Sequence, residues 1–240
     1  MKPEPLYDSN ESNGLAHANG WHKNPSEMEH QDAVIQQNTE SLFLKKSVGS
    51  FQMTDAIRPG QHTDLLPQQG FRRETYLDSE KDVSLPMILA AASSEFLFDL
   101  YLDLLSPLGN VVDVVLETSH QQRDGSHQDL YRDHIDLPVL KSVFCDHESL
   151  LMSDGCTGVA VINAAEQMEV QFDEHKMLLI YANNLVPFEK ILLNYDVWPL
   201  PGIEFITEVD HVHCSSPQQR QWFDQLSCRL GMDVWSEAGI

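Results

Sequence analysis

Apolar residues are spread unevenly along the chain. Up to about residue 82 they form short islands such as "SLFLKK" and "TDLLPQ", set among Asn, Gln, Ser, Glu and His. Islands of that size cannot bury enough surface to offset the entropy of ordering. The pattern therefore predicts a disordered polar tail over residues 1–82, a single α+β domain over 83–235 and a flexible end over 236–240. Order is expected to begin near Leu85.

Within that domain the spacing changes from element to element. "SSEFLFDLYLDLLSPLG" predicts a helix capped by Ser94 and stopped by Pro107 and Gly109; only Asp99 and Asp103 interrupt its apolar surface, so it is buried on most sides. "VVDVVLETSH" is β-branched and reads as a strand, followed by a polar loop, "QQRDGSHQDLYRDHID". "DLPVLKSVFCDHESLLMSDG" predicts a helix with Asp136 near its cap, Pro138 in the first turn and Gly155 past its end. His147 falls on its apolar stripe, where a histidine bonded to a backbone carbonyl is expected. "TGVAVIN" and "VQFDEHKMLLIYAN" read as antiparallel strands joined by "AAEQ". "VPFEKILLNY" is a helix, "IEFITEVDHVH" a strand, and "SPQQRQWFDQLSCRLG" a last helix entered at Ser215 or Ser216 and stopped by Gly231. The order matches a ferredoxin-like β-α-β-β-α-β sandwich with flanking N- and C-terminal helices, or another α+β arrangement of the same elements.

Charge narrows the partners. The formal net charge is −22, of which residues 83–240 carry −17. That excess repels phosphate backbones, so neither nucleic acid nor an anionic membrane is an expected partner. It suits cationic partners or divalent ions, and it also keeps a surface soluble. The longest apolar stretch, "LPMILAAASSEFLFDLYLDLL", is broken by Glu95, Asp99 and Asp103 and does not predict a membrane span. The N-terminus lacks the layout of a secretory leader, and Cys145, Cys156, Cys214 and Cys228 show no CxxC spacing. A reducing, cytoplasmic setting is expected. "SDGCTG" follows a helix instead of opening one, so it is a capping turn and not a phosphate loop.

Histidines and carboxylates supply the candidate chemistry. In the expected topology the end of the first strand and the start of the third share one sheet edge. That would gather His120, Asp173, Glu174 and His175 with His127, Asp133 and His134 of the intervening loop. Imidazole with carboxylate is a ligand set for zinc, iron or manganese, and Glu117 or Glu174 could act as base. The fourth strand would end at the opposite edge with His211 and His213, whose i, i+2 spacing turns both to one side. Asp154 and Cys156 are possible further ligands for that pair. Cys214 precedes a helix N-terminus, where the macrodipole would favour a thiolate; its alternative is a small buried residue at a tight join.

"ETSH", "YRDHIDLPVL", "DHESLLMSDGCTGVAV", "VQFDEHK" and "FITEVDHVH" together resemble a conserved family of uncharacterised planctomycete proteins, over roughly residues 95–231. The resemblance implies a bacterial, cytoplasmic setting and no activity, cofactor or substrate. With no nucleophile elbow, P-loop, dinucleotide fingerprint or spaced metal motif, the leading expectation is a non-enzymatic ligand- or partner-binding domain that is homo-oligomeric or binds another protein, without a cofactor. A metal-dependent enzyme using His120, Asp173 and His175 is the alternative, and a thiol or pH sensor at Cys214 and His213 the third.

Overall fold

The computed structural model describes residues 46–60, 63, 65–78, 83–120 and 127–232. In chain order its strands and α-helices are β1 (Ser47–Val48), β2 (Phe51–Gln52), β3 (Ile57–Pro59), β4 (Gly70–Asp78), β5 (Val83–Ala91), α1 (Leu97–Leu104), β6 (Val111–Thr118), β7 (Gln128–Asp136), α2 (Leu137–Asp146), α3 (Glu148–Ser153), β8 (Thr157–Asn163), β9 (Met168–Phe172), β10 (Leu178–Tyr181), α4 (Val186–Asn194), β11 (His211–His213) and α5 (Pro217–Arg229). Seven strands form one antiparallel sheet in the order β4-β5-β10-β9-β8-β6-β7, and β11 pairs with β3 in a separate ribbon.

Two-residue alternation sorts each strand onto two faces. Val112, Val114 and Leu116, Val159 and Val161, Val170 and Phe172, and Leu178 and Ile180 join the main core with Leu100 and Leu104 of α1, Phe144 of α2, Phe188 and Leu192 of α4, and Phe223 and Leu226 of α5. Each such side chain contributes roughly 1.5–3 kcal/mol by leaving water. Tyr101 stacks on Phe144 and Phe172 in the middle of this layer. On the opposite face Leu85, Met87, Leu179 and Tyr181 pack under Ile203 and Phe205.

The α+β class holds, and the strand order differs from a ferredoxin-like sheet. The expected loop 121–136 contains β7, so β6 and β8 run antiparallel where a helical crossover alone would have made them parallel. The expected tail contains β1, β2, β3 and β4. Both β4 ("GFRRETYLD") and β7 ("QDLYRDHID") are edge strands, and edges carry charge to block further pairing, which is why composition reads them as loop. Residues 1–45 and 236–240, including most of "SLFLKK", lie outside the described residues.

Three smaller differences matter for the site. "VQFDEHKMLLIYAN" is two strands, β9 and β10, with "DEHKM" as their turn. "IEFITEVDHVH" is a strand only at His211–His213, preceded by a 3₁₀ turn at Ile206–Glu208. The expected helix 136–155 breaks into α2 and α3 at His147, whose Nδ1 sits 2.8 Å from the Val143 carbonyl, as its place on the stripe implied. Among the described residues no helix is long and apolar enough to cross a membrane.

Candidate metal centre

The β9–β10 turn is built by Asp173. Its carboxylate accepts from the Met177 amide at 2.7 Å, its carbonyl accepts from the Lys176 amide at 3.0 Å, and Lys176 takes a left-handed φ of 62°. This turns the Lys176 side chain into the protein, where its ammonium donates to the Thr157 carbonyl at 2.7 Å and burial brings its pKa down to about 8. Glu174 and His175 are left facing outward from the sheet end.

The second half comes from the β3–β11 ribbon, with His211 opposite Pro59, Val212 opposite Arg58 and His213 opposite Ile57. The i, i+2 spacing puts both imidazoles on one side. Arg58 is buried and holds the approach to β3: it donates to the carbonyls of Thr54 and Ile57 and to the Asp55 carboxylate at 2.8 Å. Gly155, at the α3–β8 join, lets a third backbone close in. Its amide donates to the Cys214 carbonyl at 2.8 Å while the Cys214 amide donates to Ala56 at 2.7 Å. A Cβ on Gly155 would sit 2.3 Å from the Ala56 carbonyl oxygen.

These two elements bring His175, His211 and His213 together. Their ring centroids are 4.8–5.2 Å apart, and one ligand nitrogen of each lies within 4.8 Å of the others. In every ring Nδ1 already has an acceptor: Asp173 Oδ2 at 2.9 Å for His175, the Val209 carbonyl at 2.7 Å for His211 and the Gly155 carbonyl at 2.5 Å for His213. A carbonyl can only accept, so Nδ1 of His211 and of His213 carries the proton, and the Asp173 carboxylate asks the same of His175. In the neutral form of each ring the lone pair is therefore on Nε2. Bonding of the outer nitrogen to carbonyl or carboxylate is the arrangement that orients metal-ligating histidines. Burial depresses the pKa of His213, whereas for His175 burial is outweighed by the charge and hydrogen bond of Asp173.

Glu174 stands beside the three rings, with Oε1 4.0 Å from His213 Nε2. Its Oε2 accepts from His127 Nε2 at 3.0 Å and from the Ser119 hydroxyl at 3.4 Å. Burial would raise the Glu174 pKa, but the bond from His127 and the charges of His213, His127 and His175 bring it below the usual value. The same bond raises His127 against its burial. Glu117, behind them on β6, is pushed up to about 8 by burial and by Asp129, with His127 acting against the shift.

The groupings expected from the sequence are redrawn. His175 leaves His120 and joins His211 and His213, because β11 lies against β3 and not at the far edge of the main sheet. Cys156 joins His120 instead, with Asp154. Asp154 is fully buried and accepts from Thr157 Oγ1 at 2.5 Å and from the Cys156 amide at 3.4 Å; its other close partner is His120 Nε2 at 2.8 Å. His120 Nε2 and Asp154 Oδ2 are thus already committed to each other and to Thr157. His134 is exposed, at a φ of 56°, near Asp113 and away from both clusters. The thiolate expected at Cys214 is not favoured, because burial pushes that thiol up; the same holds for Cys156. Both halves of the triad, "DEH" and "HVH", are visible in the sequence, but the partner strand that joins them is the three-residue "IRP" inside the expected tail. No family model, curated protein or solved structure matches this chain.

Proposed function

We propose that the protein is a zinc-dependent hydrolase, with His175, His211 and His213 as ligands and Glu174 as general base. The observation that carries this is that the three imidazoles each bring a ligand nitrogen within 4.8 Å of the others while every Nδ1 already has an acceptor, which leaves Nε2 as the nitrogen free to bind. Three neutral imidazoles suit zinc and leave a fourth position open, as catalytic zinc sites do. Bonds of about 2.0 Å in a tetrahedron need nitrogens roughly 3.3 Å apart, so the rings would close inward by a short distance. Zinc bound there would supply a water acidic enough to lose a proton near neutral pH.

The chain's own groups provide the rest. Glu174 is held ionised beside the open side of the triad, positioned to take that proton. His127 and Ser119 fix its other oxygen, the orienting role a third group plays in such pairs. Asp173 both shapes the turn and orients His175.

The test combines metal analysis with two kinds of variant. The full chain is expected to take up one zinc per molecule, and His175→Ala, His211→Ala and His213→Ala each to lose it. Glu174→Gln is expected to keep zinc and to cut hydrolysis of an activated ester by about 10²–10⁴, the usual worth of a general base. Absence of stoichiometric zinc would sink the proposal. Loss of zinc in Glu174→Gln would make Glu174 a fourth ligand and the centre a closed, structural one.

A further inference from the structure

An apolar cleft opens beside the triad, and its lining includes His175 itself. Met53, Ala91, Met177, Phe205 and Ile206 make up much of its wall, and its volume is about 520 Å³ with the mouth included. The polar residues on this mostly apolar wall include Lys176 and Glu204. Thr54, also on the wall, is buried, and its hydroxyl oxygen is shut off from solvent without a hydrogen-bonding partner. A buried, unpartnered hydroxyl is costly unless something completes it, which sets it apart from an ordinary core position.

We infer that this cleft receives the hydrocarbon arm of the substrate, so that the zinc-bound head is the carboxyl derivative of an apolar acid. The inference rests on the zinc reading and adds the substrate class to it. A mostly apolar wall favours an uncharged arm, and the two charged residues on it, Lys176 and Glu204, are of opposite sign. The carboxylate excess of the chain points the same way against acidic substrates.

Alkyl hydroxamates supply a probe with a metal-binding head and a variable arm. With zinc-loaded full-length protein, hexanohydroxamate is expected to bind about 100-fold more tightly than acetohydroxamate, since each of four buried methylenes contributes roughly a three- to fourfold gain. Filling the cleft by Ala91→Leu, or by Ile206→Phe should the first variant fold poorly, is expected to abolish that gradient and leave acetohydroxamate binding unchanged. Zinc uptake with no dependence on chain length in the wild type overturns the cleft assignment alone, as does a gradient that survives both filled variants. Failure to bind zinc at all overturns the reading beneath it, and the two failures are told apart by metal content.

Discussion

Gly155 carries more of the site than its lack of a side chain suggests. Its carbonyl accepts from His213, its amide donates to Cys214, and the Ala56 carbonyl passes where a Cβ would be. The obstacle is backbone, so Gly155→Ala cannot be absorbed by a rotamer change. It should cost about 1–3 kcal/mol, as overpacking does, and should weaken zinc binding by displacing His213; urea denaturation and a zinc titration measure the two. Glu117 gives a pH signature independent of metal. Its pKa in the fold is about 8 against an ordinary 4.5, so the fold favours the neutral carboxyl. Its stabilising contribution is full below pH 4.5, declines as pH rises to 8 and is gone above that. Glu117→Gln should therefore change little at pH 4 and stabilise by on the order of 5 kcal/mol at pH 8.5, at roughly 1.4 kcal/mol per pKa unit. Equal unfolding midpoints for the two proteins at pH 8.5 would show that Glu117 is not held neutral.

At the scale of elements, the placement of two of the three histidines depends on a three-residue strand. β3 has little apolar content to advertise it, and Arg58 at its centre reads as a surface charge. In the fold it is buried and bonded to Thr54, Ile57 and Asp55. Arg58→Ala should leave two carbonyls without their donor and cost about 2–4 kcal/mol, the range for breaking a buried, charged network. It should also lower zinc affinity although Arg58 touches none of the histidines. Wild-type affinity in a folded Arg58→Ala protein would show that β11 holds its position without it. The same strand explains what the sequence could and could not tell. Helices α1, α4 and α5 and strands β6 and β8 announce themselves by their apolar period and stop signals, and Ser216 caps α5 as expected, whereas α1 begins at Leu97 after Phe96 and takes no cap from Ser94. Gly231, in the left-handed region at φ 69°, ends α5 where expected. The edge strands β4 and β7 and the β3–β11 ribbon bury little or are stabilised by polar bonds, so their composition looks like loop. "DEH" and "HVH" were each legible as metal-binding residue sets. Their meeting was not, because it is decided by the pairing of β11 with β3, a contact that spans some 150 residues and leaves no local pattern.

For the whole molecule, the three histidines come from two separate sheets: His175 belongs to the end of the seven-stranded sheet, and His211 and His213 to the ribbon. A zinc ion would thus act as a cross-link between parts of the chain that otherwise meet through few strands. An ion that binds the folded state and not the unfolded one stabilises it by mass action, about 2.7 kcal/mol at a free concentration 100-fold above Kd. For a domain of this size each kcal/mol raises Tm by roughly 2–4 °C. Zinc should therefore raise the melting temperature of the full chain by about 5–10 °C, and a chelator should reverse the rise. Magnesium, which prefers an octahedral shell of oxygens, should not reproduce it. His120→Ala tests the specificity of the effect. That side chain belongs to the neighbouring Asp154 network, so it should lower the starting Tm and leave the zinc increment intact, whereas His213→Ala should erase the increment. An increment that vanished with His120 and survived the loss of His213 would move the ion from the three histidines to Asp154 and Cys156.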